Sequence, residues 1–359
     1  MEKKRFEQID FLRAISIVGV VAIHVAAFNL SNTAAYFAWN YLQFVVVAFV
    51  FCSGYVLANR YNTEFASISQ ILPWLKKRFV RLLLPFYLYF LLHFSLWFLF
   101  PNLFSGFGLK KSFAFILNSL LLTGGVDLNW LPLLFIQLTL VFVVLSFIKK
   151  KTSYYLGYLF FSLLVCAFFT FFNSFSQFYR WTMWIPWSLV LLTAIKISSL
   201  EKQFRFPERK YVLFGSLLFS IFVILLVFFG LTDRSLIFRT HKYPPDLYYL
   251  AYSLGLTLFS IVLGKIKFFA HPIISRSFFY LSTNSYPLFF IHIIVLDFFF
   301  KNLRNYYFFS SWIVQFLTVL FLSVIIKMLI DKVIARLKSQ KFTAPALQNP
   351  PQKDGFWNS

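Results

Sequence analysis

Ten apolar runs recur along the chain, at about 9–28, 40–59, 82–100, 131–148, 154–172, 181–197, 211–230, 248–264, 280–300 and 309–330. About 20 helical residues at 1.5 Å each match the roughly 30 Å hydrocarbon core of a bilayer. Lipid offers the backbone no hydrogen-bond partner, so such segments cross as helices. Only 13% of the residues are charged, about half the fraction of an ordinary soluble domain. The expectation is an all-α, polytopic integral membrane protein with about ten transmembrane helices. Pro186 interrupts the short run at 181–197, and an apolar stretch at 112–122 reads as a half-span.

The distribution of charge orients the chain. Its 34 Lys and Arg give a net charge of +22, yet they lie almost wholly between the apolar runs. With a cytoplasmic N-terminus, inner segments hold 25 of them and outer segments 8, Arg13 being the remaining one. Positively charged loops stay inside, so an even number of spans with both termini cytoplasmic follows. With no separate basic domain, a nucleic-acid partner is not expected. Cys52 and Cys166 fall inside apolar runs and read as small buried hydrophobes. Lys3, Lys4 and Arg5 ahead of the first run resemble a signal peptide, but Asp10, Arg13 and His24 interrupt its apolar character, so an uncleaved span is expected. Residues 1–338 then form one transmembrane domain, and 339–359, polar with three prolines, a disordered cytoplasmic tail. The outer loops at 101–130 and 231–247 are the longest on their side, either solvated connectors or walls of an acceptor site.

Three constellations carry costly polar groups into this apolar frame. In the first run, IDFLRAISIVGVVAIHVAAF, Arg13 and His24 are eleven residues apart. That spacing puts both on one helix face, about 16 Å apart along the axis. Ionisable residues at such depth are kept where they pair, line a cavity or do chemistry. The second is the segment 68–86, ISQILPWLKKRFVRLLLPF, where Pro73 is expected to start a helix that presents Lys77, Arg78 and Arg81 together. Such a face either touches anionic membrane lipid or grips a polyanion such as a phosphate. The third is STNSYPLFFIHII in the ninth run, with Ser285, Tyr286 and His292, the last at a depth similar to that of His24. Trp130, Gln137, Thr283 and Asn284 are further donors, each more simply structural. His93, His241 and His271 sit at other depths or in loops, and no spacing is that of metal ligands. With 12 Asp and Glu in all, a paired-carboxylate mechanism has little support.

These motifs resemble, in order, the bacterial acyltransferase-3 family of integral-membrane O-acyltransferases. KKRFEQIDFLRAISIVGVVAIHV carries Asp10 and the family's Arg-ten residues-His motif at Arg13 and His24. FVFCSGYVLA resembles its second-span element at Ser53 and Gly54, and KKRFVRLLLPF its R-x-x-R at Arg78 and Arg81. NSYPLFFIH resembles its late Ser-Tyr then His element. One departure stands out. Many relatives acting on sugars carry W-S-L-x-x-E near the fourth span, whereas WLPLLFIQLTLVF has Gln137 near the expected acid. The chain thus resembles the branch that lacks the acidic element.

The resemblance implies a multi-pass protein of the bacterial plasma membrane that moves an acyl group, usually acetyl, from cytoplasmic acyl-CoA to a hydroxyl of a cell-surface glycan or lipid-linked sugar. It implies His24 as base, with Arg13 holding a phosphate or orienting the stripe through Asp10. Arg78, Arg81 and Lys77 would meet the phosphates of acetyl-CoA, and no metal is called for. Two other readings remain open: an exporter of a glycan or lipid intermediate with Arg13 and His24 along its path, and a scaffold subunit of an envelope-synthesis complex.

Overall fold

The computed structural model describes residues 7–60, 68–148, 151–172, 178–203, 207–266, 269 and 271–342. Among them there are helices and turns and no strand. The helices are α1 (Glu7–Ala26), α2 (Thr33–Tyr41), α3 (Phe44–Arg60), α4 (Ile68–Leu99), α5 (Phe113–Leu120), α6 (Trp130–Ile148) and α7 (Thr152–Phe171). They continue with α8 (Tyr179–Thr182), α9 (Trp184–Gln203), α10 (Glu208–Leu231), α11 (Leu247–Leu263), α12 (Pro272–Asn302) and α13 (Trp312–Phe342). Nine helical stretches among the described residues are long and apolar enough to cross a membrane, α2 with α3 counting as one. The remaining expected run, 248–264, is α11, a shorter apolar helix whose 17 residues extend about 26 Å. The protein is an all-α, multi-pass membrane protein. The apolar stretch at 112–122 forms only the eight residues of α5. At the C-terminus α13 continues through Phe342, past the expected boundary at 338; residues 343–359, most of the expected tail, lie outside the described residues, as do Lys3, Lys4 and Arg5.

Two local departures from expectation have physical causes. The run 40–59 is broken between α2 and α3 at Leu42 and Gln43. The carbonyls exposed by the break are capped by α11: Tyr252 donates to the Tyr41 carbonyl (2.8 Å) and Tyr249 to that of Gln43 (3.0 Å). In α4, by contrast, Pro73 does not start the helix; α4 begins at Ile68 and runs on through Pro73 and Pro85. A proline this close to a helix end forfeits a single backbone bond, and inside a bundle neighbouring groups re-satisfy what Pro85 frees.

The candidate span of highest hydropathy, α10, is not the one at the centre. α10 lies at the periphery, with Leu213, Leu217 and Ile224 exposed where lipid replaces water as solvent. α1, with its charged residues, is instead packed against α2, α3, α11, α12 and α13. Its approach to α3 is close: a Cβ built on Gly19 would come within 2.6 Å of the Val45 side chain. Small residues at helix crossings permit this approach in membranes.

At the end of the bundle away from the N-terminus, Asp297 of α12 organises the loop after α4. Its carboxylate accepts from His93 Nε2 (2.9 Å), from the backbone N–H groups of Ser105 and Gly106 (3.0 Å each) and from the Ser105 hydroxyl. Gly106 has φ +68° and a Cβ there would strike the Trp97 ring, so glycine is required on both counts. Asp297→Ala strands the buried His93 imidazole and the buried Gly106 amide, and frees that of Ser105. Thermal unfolding in detergent should show a loss of about 3 kcal/mol, with new protease sensitivity confined to residues 100–112.

Candidate active site

Along α1 the polar stripe meets a different neighbour at each turn. Near its start, Asp10 accepts from the Ser282 hydroxyl of α12 (2.7 Å). Cys52 of α3 donates to the Ile9 carbonyl beside Asp10 (3.8 Å), which sets α3 against the turn of α1 that carries Arg13. The next residue, Ser53, accepts from Arg78 Nη2 (3.2 Å), and Arg78 Nε donates to Thr139 of α6 (2.7 Å). Consecutive residues of α3 thus bring Arg13 and Arg78 to one region at the N-terminal end of the bundle. Lys77 and Arg81 are not drawn in. Both remain exposed on α4, and no hydrogen bond to either is found among the described residues. Of the late motif, Ser285 donates to the Ser282 carbonyl (2.9 Å), and Tyr286 reaches across to the Leu82 carbonyl of α4 (2.7 Å).

At the far end of α1, His24 and His292 meet. Their rings are nearly parallel at 13°, and His24 Nδ1 lies 2.7 Å from His292 Nε2. His292 Nδ1 is 3.0 Å from the Leu288 carbonyl. A carbonyl only accepts, so His292 Nδ1 carries a proton and, in the neutral ring, Nε2 is an acceptor. His24 Nδ1 therefore donates, and its Nε2 keeps a free lone pair. Buried backbone thus sets the tautomer of a ring two bonds away.

His24 lines a cavity of about 400 Å³. Its wall includes Trp39 of α2, Gln43 at the α2–α3 break, Tyr89 of α4, and Asp127 and Tyr179. Phe107 and Gly108 come from the loop at 101–130, and Arg239, Lys242 and Tyr243 from that at 231–247, so both long loops shape the wall. Lys242 is buried: its Nζ donates to Gln43 Oε1 (3.1 Å) and stands over the rings of Trp130 (5.1 Å) and Tyr243 (5.2 Å). Burial, reinforced by Arg239 against the pull of Asp127, brings this loop ammonium down to about 7. Tyr89 links the cavity to the Asp297 hub, its hydroxyl lying 3.2 Å from His93 Nδ1.

The sequence motifs thus separate into two groups. Asp10, Arg13, Ser53 and Arg78 gather at one end; His24 and His292 pair at the other. Tyr89, His93, Arg239 and Lys242 were not singled out in advance as one site. His93 lies four residues beyond Tyr89 on α4, and that helical spacing was the available signal. Gln137 donates to the Arg180 carbonyl (2.7 Å), Asn284 to that of Tyr280 and Thr283 to that of Phe279, all fold contacts. Among the described residues, no three His, Cys, Asp or Glu side chains are grouped to hold a metal ion.

A family model described as an acyltransferase domain, acyltransferase 3, matches residues 6–332. No curated protein and no solved structure matches the chain.

The loop that delivers Lys242 is clasped by His241. Its Nδ1 lies 2.5 Å from Asp246, the N-cap of α11, and its Nε2 lies 2.7 Å from the Ser235 carbonyl. Both partners accept, so both nitrogens donate and the ring is an imidazolium. Burial and nearby Arg234 push its pKa down, but the hydrogen bond and charge of Asp246 prevail and hold it above the ordinary histidine value. A raised folded pKa stabilises fully below the unfolded value, about 6.5, and that contribution is lost as pH rises through the folded pKa. Amide exchange of residues 235–247, corrected for its intrinsic rate, should therefore speed up from mildly acidic to alkaline pH. In His241→Ala it should be fast throughout.

Proposed function

The chain belongs to the acyltransferase-3 family, and on that premise we propose that it moves an acetyl group from cytoplasmic acetyl-CoA to a hydroxyl of a cell-surface glycan or lipid-linked sugar at the bacterial plasma membrane. The observation that carries this reading is the His24–His292 bond, which leaves one unprotonated ring nitrogen on the residue that lines the cavity.

Acyl transfer needs a base within hydrogen-bond reach of the attacking hydroxyl and a donor held in line. His24 Nε2 takes the acceptor's proton as its oxygen attacks the thioester carbonyl. The tetrahedral intermediate then collapses, the carbon–sulfur bond breaks, and the departing sulfur takes the proton from His24. His292 touches neither reactant. It positions His24 and stabilises the proton on its ring, as the third member of a catalytic triad does. At the other end, Arg78 and Arg13 suit the phosphates of the donor, with exposed Lys77 and Arg81 at the entrance. The thin pantetheine arm then spans the roughly 16 Å along α1 to the base. The inward orientation of this end follows from the distribution of Lys and Arg.

Release of free thiol from acetyl-CoA by isolated membranes tests the proposal. His24→Ala should lower the rate about a thousandfold, as expected for loss of a general base. His292→Ala should lower kcat about 10- to 100-fold with little change in KM for acetyl-CoA, and Arg78→Ala should raise that KM instead. An exporter with Arg13 and His24 along its path would cleave no thioester. Full release by a membrane-inserted His24→Ala variant would disprove the mechanism.

A further inference from the structure

The wall of the His24 cavity carries more positive charge than it neutralises. Arg239 sits in the turn Phe238–His241, exposed, and among the described residues no carboxylate lies within ion-pair distance of it. Lys242, three residues on, is only 7% exposed. Of its three N–H donors, one has an oxygen acceptor, Gln43 Oε1, and the described residues offer the other two only the ring faces of Trp130 and Tyr243. Among the described residues the only carboxylate on the wall is Asp127, which is exposed and forms an ion pair with neither cation. A buried ammonium with two open donors is costly. It is retained here at the wall of a cavity, where an incoming anion can reach it.

We propose that this cavity selects acceptors that bear a negative charge, a sugar carboxylate or phosphate, and that Arg239 and Lys242 are the pair that reads it. Guanidinium offers a planar fork and ammonium a compact point charge, so together they clasp an oxyanion from two directions. The rings of Trp39, Tyr179 and Tyr243 on the same wall offer apolar faces to the sugar. An anion anchored at this rim fixes which hydroxyl turns toward His24, so the pair determines both the class of acceptor and the position acylated. The downward shift of Lys242 fits a site that is completed by an anion: without one, burial favours the neutral amine, and a bound oxyanion restores the proton. The proposal rests on the cavity being the acceptor side of an acyltransferase.

Lys242 supplies its own reporter, because a near-neutral amine reacts readily with an uncharged amine reagent. The purified full chain in detergent is labelled near neutral pH, and modification of Lys242 is followed by peptide mass spectrometry, with exposed Lys110 and Lys111 as internal references. The probes are methyl β-D-glucuronide for a carboxylate, glucose 1-phosphate for a phosphate, and methyl β-D-glucoside as the neutral sugar. At saturation, one or both acidic sugars should slow Lys242 labelling at least about tenfold, equivalent to about 1.4 kcal/mol, with no effect on Lys110 or Lys111. The glucoside should not protect. Arg239→Gln, a change at an exposed position, should abolish protection while its unfolding temperature stays that of the parent. Protection by acidic and neutral sugars alike, protection unaltered in Arg239→Gln, or no protection at all would each overturn the proposal. Which acidic sugar protects identifies the anion. Because labelling needs no turnover, absent thiol release with intact protection defeats the acyl-transfer reading and spares the anion site, and the reverse result does the opposite.

Discussion

The hydrogen bond between His24 and His292 is the constraint on which the rest of the site depends. Two imidazoles in an apolar bundle have little water to fall back on, so each must find its partner in the protein. His292 finds the Leu288 carbonyl within its own helix, and that bond passes a defined donor–acceptor order to His24. The pair also ties α1 to α12, as does Asp10 to Ser282 further along. Polar groups that would be liabilities in lipid thereby become the pins that set how the two helices cross.

Satisfaction of polar groups is uneven across the molecule. At Asp297 every approaching donor is matched, and the result is a hub that holds the loop carrying Phe107 and Gly108 against the cavity. At Tyr41 and Gln43 a helix break is healed by two tyrosine hydroxyls. At Arg239 and Lys242 donors are left open, in a loop held by the His241–Asp246 clasp. Closed networks hold the loops that wall the cavity, and at Arg239 and Lys242 donors open onto it, the order expected where a scaffold must stay rigid and a ligand completes the charge.

Much of the fold was legible in the sequence. A stretch of about twenty apolar residues has one way to cross lipid, so ten runs predicted helices at the places where helices occur. The stripe formed by Arg13 and His24 was legible because helical periodicity is local. So was the acyltransferase-3 family, through short motifs in order. Periodicity could not reveal that Arg78 turns inward to Ser53 and Thr139 while Lys77 and Arg81, on the same turn, stay outside. Nor could it reveal that α4 runs through Pro73, since what a proline costs depends on what surrounds it.

The sequence by itself therefore determined the membrane class, the helical architecture and the costly residues that any account must explain. Only the tertiary structure decided their partners: His24 with His292 across 268 positions, His93 with Asp297 across 204, and Lys242 with Gln43 across 199. The physical reason is range. Transfer from water to lipid and the 3.6-residue turn act within one segment and can be read along it. Hydrogen-bond satisfaction acts between segments, and the crossing of helices settles which donors meet which acceptors.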